Sequence, residues 1–183
     1  NIYGAYFLGN TAYLLGFDTL APQGYADMTQ QSLQIIKMEA AEEKIHNFYA
    51  FGEGRNVGIG VAQDESGAAT GLSLVLYDTA AAVHNALGRV QVTGDWSQAI
   101  NAPGSVLTLP DRQLVALPTA DGYQLYTWQD GWQNAGSVAM NYIANATSMF
   151  VIGDNLYFCN DAMIEIVDAA SYTHLAKIEF AYG

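Results

Sequence analysis

Acidic side chains make up most of the chemically versatile groups in this sequence, and their neighbours decide what they can do. The chain has 183 residues, with 18 Asp+Glu, 6 Lys+Arg, three His and one Cys. Asp64, Glu65, Asp111, Asp130, Asp154 and Asp161 mostly stand beside Gly, Asn or Pro. An Asp in such a place bonds the backbone two residues on and fixes a turn, so these carboxylates read first as turn formers. A calcium loop needs several oxygens at tight spacing. Only Asp64-Glu65-Ser66-Gly67 comes near that pattern, and no metal site is expected. Two carboxylates facing each other across a cleft would suit glycoside hydrolysis, but sequence does not supply their separation. That chemistry, a carbohydrate-active enzyme, is the alternative reading.

The remaining reactive groups are sparse. His46, His84 and His174 fall far apart with no histidine partner at ligand spacing, and read as solvated or capping groups. Cys159, alone, forms neither an internal disulfide nor a C-x-x-C pair; within Leu156-Tyr157-Phe158-Cys159 it reads as a buried strand cysteine. No G-x-S-x-G elbow or H-E-x-x-H pair occurs, and Gly52–Gly60 lacks the strand-to-helix setting of a phosphate loop. No catalytic residue and no cofactor are expected. Glu39, Glu42 and Glu43 around Lys37 and Lys44 read as a solvated charged face. Aromatic residues offer more. Trp96 beside Asp95, and Tyr25 near Asp27 in the polar stretch Asp18–Gln31, pair a flat ring with an acid. Such pairs suit sugar stacking or a protein hot spot, and these four are the candidate ligand-binding residues, with Trp96 packed between neighbouring blades as the competing reading. Trp128 and Trp132 flank Gln129-Asp130-Gly131 and read as a structural cross-strand pair.

Composition bounds the partners. Hydrophobic residues make up 51 % and charged residues 13 %, about half the share usual in soluble domains. Ordering such a chain is offset by ample apolar surface, so disorder is excluded. The net charge of −12 rules against nucleic acid, which needs clustered Lys and Arg, and against anionic membrane surfaces. No apolar run approaches the ~18 residues of a spanning helix, so no membrane insertion is expected. The chain begins with Asn1, which is read as a processed or truncated start.

The elements that would position these residues are strands. Apolar runs of about four to seven residues are broken by Gly, Asn and Asp, and many alternate, as in Leu72-Ser73-Leu74 and Ile164-Glu165-Ile166. One pattern recurs: apolar run, tight polar turn, apolar run. It appears at Tyr6–Leu15, Phe48–Gly60, Val106–Leu117 and Met149–Cys159. Anchors Tyr13, Val57, Val115 and Tyr157 are about 44, 58 and 42 residues apart. An alternating third strand follows each hairpin at Leu33, Leu72, Tyr123 and Ile164. A fourth closes each unit near Lys44-Ile45, Arg89–Val92, Gly136–Met140 and Leu175–Phe180. The Ala-rich Thr79–Leu87 reads as a loop between strands. Periods of this size with four strands each are those of propeller blades. The expected fold is therefore all-β: a β-propeller of four blades of four antiparallel strands, about Ala5–Ile45, His46–Asp95, Trp96–Asn141 and Tyr142–Gly183. The span 1–183 is then a single domain, either a complete small ring or part of a larger one. In that arrangement Trp96 and Asp95 lie in a connection between blades, on the same face as Tyr25 and Asp27.

The phrases YFLGNTAYLLGF (Tyr6–Phe17), NVGIG (Asn56–Gly60), GLSLVLYD (Gly71–Asp78), QLVALPT (Gln113–Thr119) and MFVIGDNLYFCN (Met149–Asn160) come in an order that resembles one family. It comprises secreted bacterial and archaeal proteins with a C-terminal β-propeller distantly related to WD repeats. The resemblance touches almost the whole chain and implies its C-terminal portion of such a domain. The long polar Asp18–Gln31 and the Ala-rich Thr79–Leu87 depart from the family's pattern. The resemblance implies an extracellular or cell-surface location and no established reaction. Together these readings give a non-catalytic binding or scaffold domain offering loops to a protein or glycan, with a homo-oligomer completing a larger ring as a further expected arrangement.

Overall fold

The computed structural model describes residues 2–8, 11–16, 33–35, 43–64, 66, 68–80, 85–92, 97–140 and 148–181. Among them the chain is all-β: fifteen strands in four sheets, with helix limited to three 3₁₀ turns of three residues each. The chain divides into two compact units, Asn1–Gln91 and Val92–Gly183, each holding two sheets.

In the first unit, β1 (Ile2–Leu8) and β2 (Thr11–Gly16) form an antiparallel hairpin, and β3 (Leu33–Ile35) pairs with β2 in parallel. The second sheet is an antiparallel meander of β4 (Glu43–Ala50), β5 (Arg55–Gln63), β6 (Ala69–Asp78) and β7 (Asn85–Gln91). Two expectations for the opening segment are corrected here. Leu33–Ile35 runs parallel to its neighbour, where a blade's third strand would be antiparallel. Lys44-Ile45 is not a fourth strand of the first sheet: Glu43–Ala50 is one continuous strand that opens the second sheet, and a register shift between Ile45 and Asn47 lets it stay paired with β5 past His46. That shift breaks the alternation and makes one strand look like two.

Both sides of the second sheet are buried. One carries Val57, Ile59, Leu72, Leu74 and Leu76, none more than 2 % exposed. On the other, Phe48 and Tyr77 meet at 5.8 Å over Gly58. A Cβ on Gly58 would lie 2.9 Å from the Tyr77 ring and 3.1 Å from Ile45, so the missing side chain makes room for both. Each such fully buried aliphatic or aromatic group contributes about 1.5–3 kcal/mol. The same side holds the buried carboxylate of Glu43, 2.8 Å from Arg89 Nε and accepting from Ser73 Oγ at 3.4 Å. Glu43 was expected on a solvated face. Arg89, far along the chain on β7, supplies the opposite charge that allows its burial.

The second unit contains two further antiparallel meanders: β8 (Leu107–Leu109), β9 (Leu114–Thr119), β10 (Gly122–Trp128) and β11 (Trp132–Ala139), then β12 (Ser148–Ile152), β13 (Asn155–Cys159), β14 (Met163–Asp168) and β15 (His174–Glu179). These two sheets stack face to face. Leu114, Ala116, Tyr123, Leu125 and Val138 from the third meet Leu156, Phe158, Met163 and Val167 from the fourth in one core cluster. At its centre the Tyr123 and Phe158 rings lie 4.9 Å apart, tilted by 45°.

The three meanders share an irregularity. In each, the third and fourth strands slip register once: at Leu76/Tyr77, at Leu125/Tyr126 and at Ile166/Val167. The extra residue is Leu87, Ala135 or Leu175 on the fourth strand, a β-bulge that bends and twists it.

The hairpins named from sequence are all found. Phe51–Arg55, Pro110–Gln113 and Gly153-Asp154 are turns joining first to second strands, and Leu72, Tyr123 and Ile164 stand on third strands. The β12–β13 link is a two-residue turn with Gly153 at φ 58, as tight hairpins require. Within Thr79–Leu87, β7 already begins at Asn85; residues 81–84 lie outside the described residues. No helix among the described residues is long and apolar enough to cross a membrane.

Candidate functional site

The second unit has two ends, and hydrogen bonds between its sheets show which turns share each one. Arg112, in the β8–β9 turn, donates from Nη1 to Ala169 O at 3.0 Å in the β14–β15 turn. Ala169 N in turn donates to Asp154 O at 2.8 Å in the β12–β13 turn. The Arg112 guanidinium also comes within 3.8 Å of the Asp154 carboxylate, which is 94 % exposed and so adds little. These contacts put the first-to-second and third-to-fourth strand turns of both sheets at one end. The β9–β10 turn (Ala120-Asp121) and the β13–β14 turn (Asn160–Ala162) therefore share the other.

The end tied by Arg112 is occupied with structural work. Asp168 Oδ1 accepts from Ala170 N, Ser171 N and Ser171 Oγ at 3.1, 2.7 and 2.7 Å. The Ser171 hydroxyl, then its N–H, hold this carboxyl below its ordinary value. Asp130 adopts φ 53 in the turn between Trp128 and Trp132, whose rings meet edge to face at 5.3 Å and 80°. That is the cross-strand pair expected from their spacing, and Trp128 lies directly opposite Trp132 in register.

The opposite end is where the chain passes between sheets. The segment Ser97–Val106 contains two of the 3₁₀ turns, Gln98–Ile100 and Pro103–Ser105. The first lies beside β9 and the second beside β12, so the segment reaches from one sheet to the next. Buried Ser97 anchors it: its hydroxyl donates to Pro118 O at 2.5 Å and accepts from Ala99 N at 3.0 Å. Pro103, Gly104, Asp121 and Asp161 are exposed at this end. Asn160 Oδ1 accepts from Ala162 N and Met163 N, both at 2.8 Å, which fixes the second turn.

Of the candidate ligand-binding residues, Trp96, Asp95, Tyr25 and Asp27 all lie outside the described residues. Ser97, the nearest described neighbour of Trp96, is the anchor of the exposed end just described. Asp64 is a turn residue: its Oδ1 accepts from Ser66 N, Ser66 Oγ and Ala68 N at 2.9, 2.6 and 3.0 Å. Glu65 and Gly67 are outside the described residues. No group of three or more His, Cys, Asp or Glu that could hold a metal occurs among the described residues.

His46 sits at the β4 register shift, and His84 is outside the described residues. His174 places Nδ1 3.0 Å from the buried carboxylate of Glu165, which also has Lys177 Nζ at 4.0 Å. Glu179 bonds Lys177 at 2.6 Å and keeps that ammonium above its ordinary range. Cys159 is half-buried at the end of β13, and burial raises its thiol pKa. Sequence reasoning missed the Arg112 tie. The available signal was its position: one of only six cations, placed in a tight turn.

Neither models of known protein families nor curated proteins give a match to this chain.

Proposed function

We propose that this chain is a β-propeller domain, with β4–β7, β8–β11 and β12–β15 as three of its blades and the opening sheet in the place of the fourth, that binds an extracellular protein or glycan through loops at one end and catalyses no reaction. The observation that carries this reading is the exposed end of the second unit, where the fixed segment Ser97–Val106, next in sequence to Trp96, reaches from β9 to β12. Three consecutive four-stranded meanders with the same bulge support the blade reading, because propellers are built from a repeated four-stranded unit, and the third and fourth sheets stack on each other. Rigid sheets with ligand contacts on their connecting segments are a common division of labour. The candidates read from sequence, Trp96, Asp95, Tyr25 and Asp27, are aromatic rings and acids, the residue types a sugar ring or a protein anchor uses.

The test is a glycan array and a pull-down from a bacterial cell surface, using the purified chain and its Trp96→Ala variant. Saturable binding to a defined glycan or protein, weakened roughly tenfold or more in Trp96→Ala, is the expected result. Binding unchanged by Trp96→Ala removes that residue from the reading. Turnover of a bound oligosaccharide into shorter products replaces it with the carbohydrate-active alternative.

A further inference from the structure

We propose that Asp130 is a site of spontaneous modification: in the folded protein the Asp130-Gly131 link converts to isoaspartate, while the chain's other Asp-Gly pair, Asp121-Gly122, is protected by the fold. The reaction needs no partner but water. The main-chain nitrogen after an aspartate attacks the side-chain carboxyl carbon, forming a C–N bond and closing a five-membered imide. The carboxyl hydroxyl and the amide hydrogen leave together as water. Water then adds to either imide carbonyl. Opening at the main-chain carbonyl leaves the chain running through the side chain, one methylene longer, with a free α-carboxylate and no net change in mass. Glycine obstructs the attack least of all followers, because it has no Cβ.

The turn between β10 and β11 leaves both reacting groups of Asp130-Gly131 free. The Asp130 carboxylate is exposed and has no hydrogen bond or ion pair among the described residues, so its side chain can swing toward Gly131 N. Gly131 N donates to nothing among the described residues; the turn's bonds run from Gln129 N to Gly131 O and from Trp128 N to Gln113 O, each at 3.0 Å. A Cβ on Gly131 would meet nothing within 4 Å, so there is room for the imide. The backbone adds a drive. Asp130 holds φ 53, a conformation that costs free energy in any residue with a Cβ, and a longer link relaxes that constraint. Asp121 is also exposed, but there the attacking nitrogen is locked. Gly122 is buried, paired with Thr119 on one side and Ala139 on the other, and its carbonyl accepts from Thr119 Oγ1 at 3.0 Å. A Cβ on Gly122 would strike Val138 O, so no space for an imide exists until the strands part. Conversion at Asp130 lengthens the link that sets Trp128 opposite Trp132. The site lies at the end tied by Arg112, away from the loops proposed above to bind, so the two readings stand or fall independently.

The test follows the purified chain, kept folded near physiological temperature and pH for several weeks. A protease that cuts before aspartate but not before isoaspartate reads each site separately. Conversion at Asp130 leaves peptides 121–129 and 130–153 joined, and conversion at Asp121 leaves 111–120 and 121–129 joined. The 121–153 product should grow with time and exceed the 111–129 product roughly tenfold or more, because the locked site reacts only through local opening. In urea, where both pairs are unlocked, the two products should grow alike. Labelling of the aged chain by an isoaspartyl-specific methyltransferase should lose most of its yield in Asp130→Glu, whose longer side chain closes a six-membered ring far more slowly. Absence of the 121–153 product, equal conversion at Asp121 in the folded chain, a preference that survives in urea, or labelling unchanged in Asp130→Glu would each overturn the proposal.

Discussion

Phe150 and Phe158 lie one residue out of register on neighbouring strands of the fourth sheet, yet truncating them should have very different consequences. Phe158 is 0 % exposed, packed on Tyr123 in the core between the third and fourth sheets. Phe158→Ala loses the full transfer energy of the ring and leaves a cavity that rigid strands on both sides close poorly, about 3–5 kcal/mol in all. Phe150 is 40 % exposed on the outer side. It forfeits roughly three-fifths of a Phe transfer energy of about 1.5–3 kcal/mol, and no cavity is made, so Phe150→Ala should cost about 1–2 kcal/mol. Urea unfolding of both variants measures the difference directly. A gap of about 2–3 kcal/mol is expected. Equal costs, within about 0.5 kcal/mol, would mean that the two sides of the fourth sheet are not inner and outer as described.

Two further outcomes follow from single sites. Gly122 opens β10 at φ 139, and a Cβ there would lie 2.1 Å from Val138 O, so Gly122→Ala should destabilise by more than about 2 kcal/mol in the same assay; a cost under about 0.5 kcal/mol would contradict that approach of backbones. The Asp168 carboxyl lies below its ordinary value of 3.8 because Ser171 donates to it. A lowered folded value means the ionised form adds stability that is complete above the ordinary value and disappears as pH falls through the folded one. The difference in urea midpoint between wild type and Ser171→Ala should accordingly be constant from neutral pH down to about 5 and narrow below about 4. A difference that stays the same at low pH would detach this hydroxyl from the carboxylate.

Strands were legible in the sequence wherever a tight turn separated two apolar runs, because turn residues and alternation mark the same boundaries independently. Pro110–Gln113, Gly153-Asp154 and the Trp128–Trp132 hairpin are of this kind. The opening segment was not. The register shift at His46 hides the unity of β4, and β3 pairs in parallel, which no local pattern announces. Glu43 read as solvated because its partner Arg89 is distant in sequence and becomes a neighbour only when β4 to β7 assemble. The Asp residues were read as turn formers, and Asp64 and Asp154 stand in turns. The exposed loop end depends on how two sheets are joined, and residue spacing carries no information about that. Arg112 holding Ala169 O identifies it only after folding.

The bulge that Leu87, Ala135 and Leu175 place in each closing strand also bears on solubility. A sheet margin is hazardous when its free amides and carbonyls line up as a template for a stranger's strand. A kinked margin offers that template only in short, misaligned stretches. Ribbon growth along the closing margin is thereby discouraged in all three meanders by the same small device, which leaves the flat sides, the turns and the opening margins for contacts from outside.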